Sequence, residues 1–221
     1  MSTQATSGST GGSESEIVTG PLRAFQGSFM TAIHFSSGHC LWLYNVSSNP
    51  TDVEAYREVW VATPDVETTL YTDPGEALDV VSKYHEFDNY SEAGINWERH
   101  DNTVDVNMEA ADGTTLDATV ELSSTLPTRL INGISAIVPD SLRESVLGGP
   151  LRQSGISDTN MKFEFDLGRM LVVEDGHATL NGEDLRHPVQ ESPDTDFAKS
   201  AGAPEENVFT TGTLYLPYPV E

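Results

Sequence analysis

An antiparallel β-barrel is the fold that the sequence predicts, on three observations. Runs of aromatic and β-branched residues recur at short intervals along the 221 residues, each bounded by Gly, Pro, Asn or Asp. Only two segments carry helical spacing, which argues against an alternating parallel sheet. The final run, Val208 to Leu216, is suited to pair with the first, Phe29 to Phe35, closing the sheet and removing its edges. The alternative is a two-layer α+β arrangement, with one apolar helix packed across an open antiparallel sheet.

The elements follow in order. Met1 to Glu16 is rich in Ser, Thr and Gly and has no large apolar residue after Met1, so residues 1–16 are expected to be a disordered tail and 17–221 a single β-rich domain. Ser28 to Val46 reads as a hairpin around Ser36-Ser37-Gly38. In its second arm Cys40, Trp42, Tyr44 and Val46 share one face and Leu41 and Leu43 the other, so both faces are expected to be buried. Val53 to Thr63 and Glu67 to Thr72 form the next pair, and Asp73-Pro74-Gly75 turns the chain into a short helix over Glu76 to Tyr84. His85 to Gly94 reads as a loop. Ile95 to His100, Thr103 to Ala110 and Thr114 to Leu122 form a meander, in whose middle strand Val104, Val106 and Met108 alternate with Asp105, Asn107 and Glu109. A second helical stretch is expected between Leu126 and Leu147. Asn160 to Leu167, Arg169 to Glu174 and His177 to Leu180 restore strand character, with a turn at Asp175-Gly176, and His187 to Asn207 reads as a surface loop.

Thirty-five acidic residues against eleven basic ones give a formal charge of -24, and the basic side is eight arginines with three lysines. Such a chain repels itself at low salt, whereas a Debye length of about 3 Å at 1 M removes most of the repulsion. The composition resembles that of cytoplasmic proteins of salt-loving archaea, which implies a halophilic, cytoplasmic protein. Circular dichroism is expected to show a melting temperature that rises between roughly 0.1 and 3 M KCl. A flat profile would remove the halophile reading. Nucleic acid is excluded as a partner by the absence of any clustered Lys/Arg face. No apolar run reaches the roughly 18 residues that span a bilayer, so membrane insertion is not expected. The single cysteine, Cys40, excludes an internal disulfide.

Motifs for nucleophilic, phosphate-binding or dinucleotide chemistry are missing, as is an H-E-x-x-H helix, and no cofactor is called for. His34 and His39 flank the first turn beside Cys40 and are the candidate metal ligands, set against the plainer reading of rim histidines. His85, and His100 with Glu98, are candidate acid–base groups, since a carboxylate can fix a histidine's tautomer. In so acidic a chain an acid beside a histidine is also the ordinary expectation. Schiff-base chemistry would need an activated lysine, and Lys162 lies within an apolar strand. Arg57, Arg99 and Arg169 sit in apolar or aromatic surroundings, where a planar ion pair or an anionic ligand would hold them. Trp42, Tyr44, Trp60 and Trp97 are the candidate walls of a cavity.

The expected architecture resembles that of the lipocalins and their calycin relatives, in architecture alone and on no family motif. It implies a monomer or homodimer that binds a small apolar or amphipathic molecule inside the barrel, its polar end fixed by arginine or histidine. The alternatives are a cofactor-independent isomerase, hydratase or hydrolase in the same cavity, or a non-catalytic assembly subunit.

Overall fold

The computed structural model describes residues 18, 20–125, 128–129, 152–157, 159–189 and 207–218. The expected tail and nearly all of the second helical stretch lie outside them. The described chain is mainly β: β1 (Leu22–Phe35), β2 (Cys40–Ser48), β3 (Tyr56–Ala62), β4 (Thr68–Asp73), a 3-10 turn (Gly75–Ala77) leading into α1 (Leu78–Val81), β5 (Asn89–His100), β6 (Thr103–Ala110), β7 (Thr115–Ser123), β8 (Arg152–Ile156), β9 (Lys162–Leu180), β10 (Glu183–Asp184), β11 (Pro188–Val189) and β12 (Val208–Pro217). All belong to one sheet, in which β9, β12, β1, β2, β3, β4, β5, β6 and β7 pair in turn and β7 pairs back onto β9. The strands therefore form a closed circuit. Its one parallel pairing among the described residues joins β4 to β5.

The first hairpin and the meander form where the alternation predicts them. Cys40 to Leu43 are buried on both faces, and Val104, Val106 and Met108 are buried while Asn107 and Glu109 face solvent. β12 pairs with β1 over ten residues, Phe209 opposite Met30. The closing contact is made elsewhere, by β9.

Three expectations are corrected. Asn89 to Gly94 is strand rather than loop, because α1 and the segment after it return the chain to lie parallel to β4, where Thr69 to Thr72 pair with Asn89 to Glu92. The three runs expected between Asn160 and Leu180 are a single 19-residue strand. Asp175-Gly176 does not turn; it pairs with Glu121 and Val120. Turn residues sit within this strand because it bends at two bulges, where Gly168 and Glu174 are extra relative to the partner strands. Those bends let one strand leave β12 and join β7. Finally, the loop expected from His187 begins with β11, which pairs with His34 and Phe35 of β1; 190–206 lie outside the described residues.

Every strand of the circuit contributes to one apolar cluster, through Met30, Leu43, Val59, Tyr71, Ile95, Val106, Ala118, Leu171 and Phe209. A cluster fed from all sides lies inside the circuit. A second cluster covers the outer face of β1–β4 and β12, where Phe25, Trp42, Tyr56, Trp60 and Leu70 pack against Val80, Val81 and Tyr84 of α1 and the residues after it. Tyr84 ties that cover down by donating its hydroxyl hydrogen to the carbonyl of Pro217 at 2.9 Å. Among the described residues β5–β7 have no such cover, and the outer residues of β6 and β7 are mainly Asp, Asn, Glu and Thr.

Candidate functional site

A cavity of about 120 Å³ lies in the second cluster, on the outer face of the sheet. Phe29 and Thr31 of β1, Tyr44 of β2 and Trp60 of β3 form one side. Phe163, Phe165, Leu167 and Met170 of β9 with Thr210, Leu214 and Leu216 of β12 form the other, and His85 and Ser157 also line it. Two bulges assemble this wall. At Gly168 the side-chain phase of β9 slips by one, so Phe165, Leu167 and Met170 share the outer face while Leu171 turns inward. In β1 the register slips between Met30 and Ile33, where Ala32 has φ 52°, and this puts Thr31 and Ala32 outside with Met30 and Ile33 inside.

The aromatic walls are fixed edge to face. Phe29 meets Tyr44 and Phe165 at ring-centre distances of 5.5 Å each, and Tyr44 meets Trp60 at 4.9 Å. His85 lies 4.6 Å from the Trp60 ring centre. The indole N–H of Trp60 points away from the cavity and donates to Glu58 Oε2 at 2.7 Å. Glu58 is 4% exposed, and burial pushes its carboxyl from the ordinary 4.5 up to about 8, against a smaller downward pull from the Trp60 hydrogen bond. Burial and then Glu58 also push the Tyr44 hydroxyl well above its ordinary value.

The candidate cavity residues divide between two places. Tyr44 and Trp60 line the cavity; Trp42, 1% exposed and opposite Trp60 in register, is packed behind it. Arg57, Trp97, Arg99 and Arg169 stand on the inner face of the circuit, on the other side of the sheet. The described cavity therefore lies on the outer face of the sheet and not on the inner face where these four residues stand. Glu58 belongs to no motif and is not among the candidates above, although it shares the strand phase of Tyr56 and Trp60, which marks an acid on a buried face.

Of the acid–base candidates, His85 lies in the cavity wall. Asp88, near it in sequence, instead accepts hydrogen bonds from the backbone N–H and hydroxyl of Thr68 at 2.8 and 2.9 Å. His100 and Glu98 do meet, at 3.2 Å, but their side chains are 68% and 56% exposed and lie far from any described cavity wall. His34 is buried opposite Cys40, and burial lowers it from 6.5 to about 4; His39 bonds Ser37 in the turn. Among the described residues no group of three or more His, Cys, Asp or Glu is placed to hold a metal. Lys162 is exposed and pairs with Glu164 at 3.0 Å, and Lys83 lies over the Tyr218 ring, so neither is placed for amine chemistry. No described helix is long and apolar enough to cross a membrane.

No family model and no curated protein matches the chain. Solved structures to which it is similar include two acetoacetate decarboxylases. One is the acetoacetate decarboxylase of Legionella pneumophila, at 12% identity and a TM-score of 0.42 over 99% of this chain and 96% of that one. The other, also an acetoacetate decarboxylase, gives 11% and 0.38 over 91% and 88%. At these values neither supplies a residue correspondence for this chain.

Proposed function

We propose that this chain is a binding protein for a small apolar or amphipathic molecule, and that its closed circuit is a β-barrel with a filled interior and the ligand site on its outer wall. The observation that carries this reading is the cavity itself. Its lining is aromatic and aliphatic, with Thr31, Thr210, Ser157, Tyr44 and His85 as its polar groups. A dry apolar cavity of about 150 Å³ takes a benzene-sized molecule, so this one suits a ring or the end of an alkyl chain. The polar end of an amphipathic ligand would then lie toward His85 and Ser157. His85 also supports a second reading, a cofactor-independent isomerase, hydratase or hydrolase with the imidazole as its proton-transfer group.

The test is titration with a fluorescent polyene fatty acid in high salt. Saturable one-to-one quenching of tryptophan is expected. Trp60→Phe should remove most of it, whereas Trp97→Phe, on the opposite face of the sheet, should leave it intact. Leu214→Phe together with Met170→Phe should narrow the cavity and abolish binding without lowering the melting temperature. Absence of saturable quenching, in protein shown by mass spectrometry to carry no endogenous ligand, would overturn the reading.

A further inference from the structure

The inner face of the circuit ends in a row of polar residues. Strand register sets Arg169, Thr211, Ser28, Asn45, Arg57 and Asp73 side by side across β9, β12, β1, β2, β3 and β4. One step inward the same pairings align Leu171, Phe209, Met30, Leu43, Val59 and Tyr71, all members of the interior cluster. A polar row against an apolar one marks a mouth of the circuit. Trp97 and Arg99 extend to it from β5. The Arg99 guanidinium carbon lies 4.7 Å from the centre of the Phe209 ring, and Trp97 packs on the interior cluster.

A wetted rim would account for polar residues here, but not for their charges. Arg57 pairs with Asp73 at 3.3 Å. Among the described residues Arg99 and Arg169 pair with no carboxylate, though the chain carries thirty-five acids against eleven bases. Arg99 is half-buried, and burial and then the charge of Arg169 hold it below its ordinary value. In a chain this acidic the lowest-energy use of an arginine is an ion pair, and two arginines close enough to repel each other leave room for a negative charge brought from outside.

We propose that this mouth binds a small oxyanion, a carboxylate or phosphate, between the guanidinium groups of Arg99 and Arg169, with Asn45, Ser28 and Thr211 along the same row. Arg99 is pre-oriented by the Phe209 ring, so little side-chain freedom is lost when the anion arrives. The site lies across the sheet from the outer cavity and does not rest on the reading given for it.

Calorimetric titration of the full chain with inorganic phosphate, and separately with acetate, at constant ionic strength tests this. Saturable binding of at least one is expected, and comparison of the two distinguishes a phosphate from a carboxylate site. Arg99→Gln and Arg169→Gln should each weaken it about tenfold or more. Arg23→Gln, the same charge change at an exposed position on β1, should leave it unchanged. Arg169 is exposed, so its variant keeps the fold and decides the question if Arg99→Gln does not fold. The absence of saturable binding, or equal weakening by Arg23→Gln, would overturn the proposal. So would an Arg169→Gln protein that melts higher and still binds the anion as tightly. Polyene quenching at the outer cavity should persist in both site variants, which separates failure here from failure there.

Discussion

Replacing Gly212 with alanine is expected to lower stability by about 2 to 3 kcal/mol, a fall in melting temperature of roughly 4 to 12 °C for a chain of this size. Gly212 pairs with Gly27 across β12 and β1, at the bulge where β9 begins to bend. A Cβ there would run into the carbonyl oxygen of Asp166 and lie 2.8 Å from the tip of the Phe165 ring. The entropic gain from removing a glycine is only about 0.4 to 1 kcal/mol. The clash wins, because a backbone carbonyl in a paired strand cannot swing aside as a side chain can. Since Phe165 is a wall of the outer cavity, Gly212→Ala should weaken apolar ligand as well as stability. Gly27→Ala should act alike, its Cβ meeting the carbonyl of Asn45, whereas Gly94→Ala has no heavy atom nearer than 4.0 Å and should be neutral. Urea unfolding of the three variants checks this. Equal stability of all three would mean that the strands do not approach as closely as described.

The second large effect is a pH dependence centred on Glu58. Its folded-state carboxyl titrates near 8 and its unfolded one near 4.5, so between those values the folded protein keeps a proton that the unfolded chain has released, and stability falls as pH rises. His34 has the opposite sign. Lowered to about 4 from 6.5, it makes stability rise with pH across that interval and contributes nothing above it. His39, lowered by burial against a weaker pull from Glu183, adds to the same rise. The two slopes oppose each other up to 6.5, and from there to about 8 Glu58 is the group among the described residues that sets the slope. Over that span stability should fall by up to about 2 kcal/mol. Glu58→Gln should flatten it and be the more stable protein at pH 8, since the amide oxygen still accepts the Trp60 N–H. Thr72, opposite Glu58 in register, has a buried hydroxyl with no hydrogen-bond partner and could accept from the new amide NH₂. Chemical denaturation at pH 6.5 and 8.0 measures both slopes. A wild-type slope that survives in Glu58→Gln would assign the effect to another group.

Alternation made much of the fold legible. β2 was readable as buried on both faces because apolar residues occupy both of its phases, and β6 as half wet because they occupy one. Asn89 to Gly94 was not readable, since its strand character comes from pairing with β4 rather than from its own acidic and aromatic residues. The candidate site was partly legible. Tyr44, Trp60 and His85 were selected as aromatic strand positions and a His beside an acid, and they meet at the cavity. Phe165, Leu167 and Met170 could not be grouped, because their shared face depends on the bulge at Gly168.

What the sequence determined by itself is the set of strands, the faces within each unbulged strand, and the charge that every surface must tolerate. These are local: a period of two and a count of ionisable groups need no knowledge of distant neighbours. Only the tertiary structure decided which face of β1–β4 lies inside the circuit, and so placed Trp42, Tyr44 and Trp60 outside while Arg57, Arg99 and Arg169 came to one mouth. In the central parts of these strands both faces are buried and carry apolar residues. The choice between them was made where β9 bends at its two bulges and closes onto β7, a contact between residues about fifty or more positions apart that no local pattern encodes.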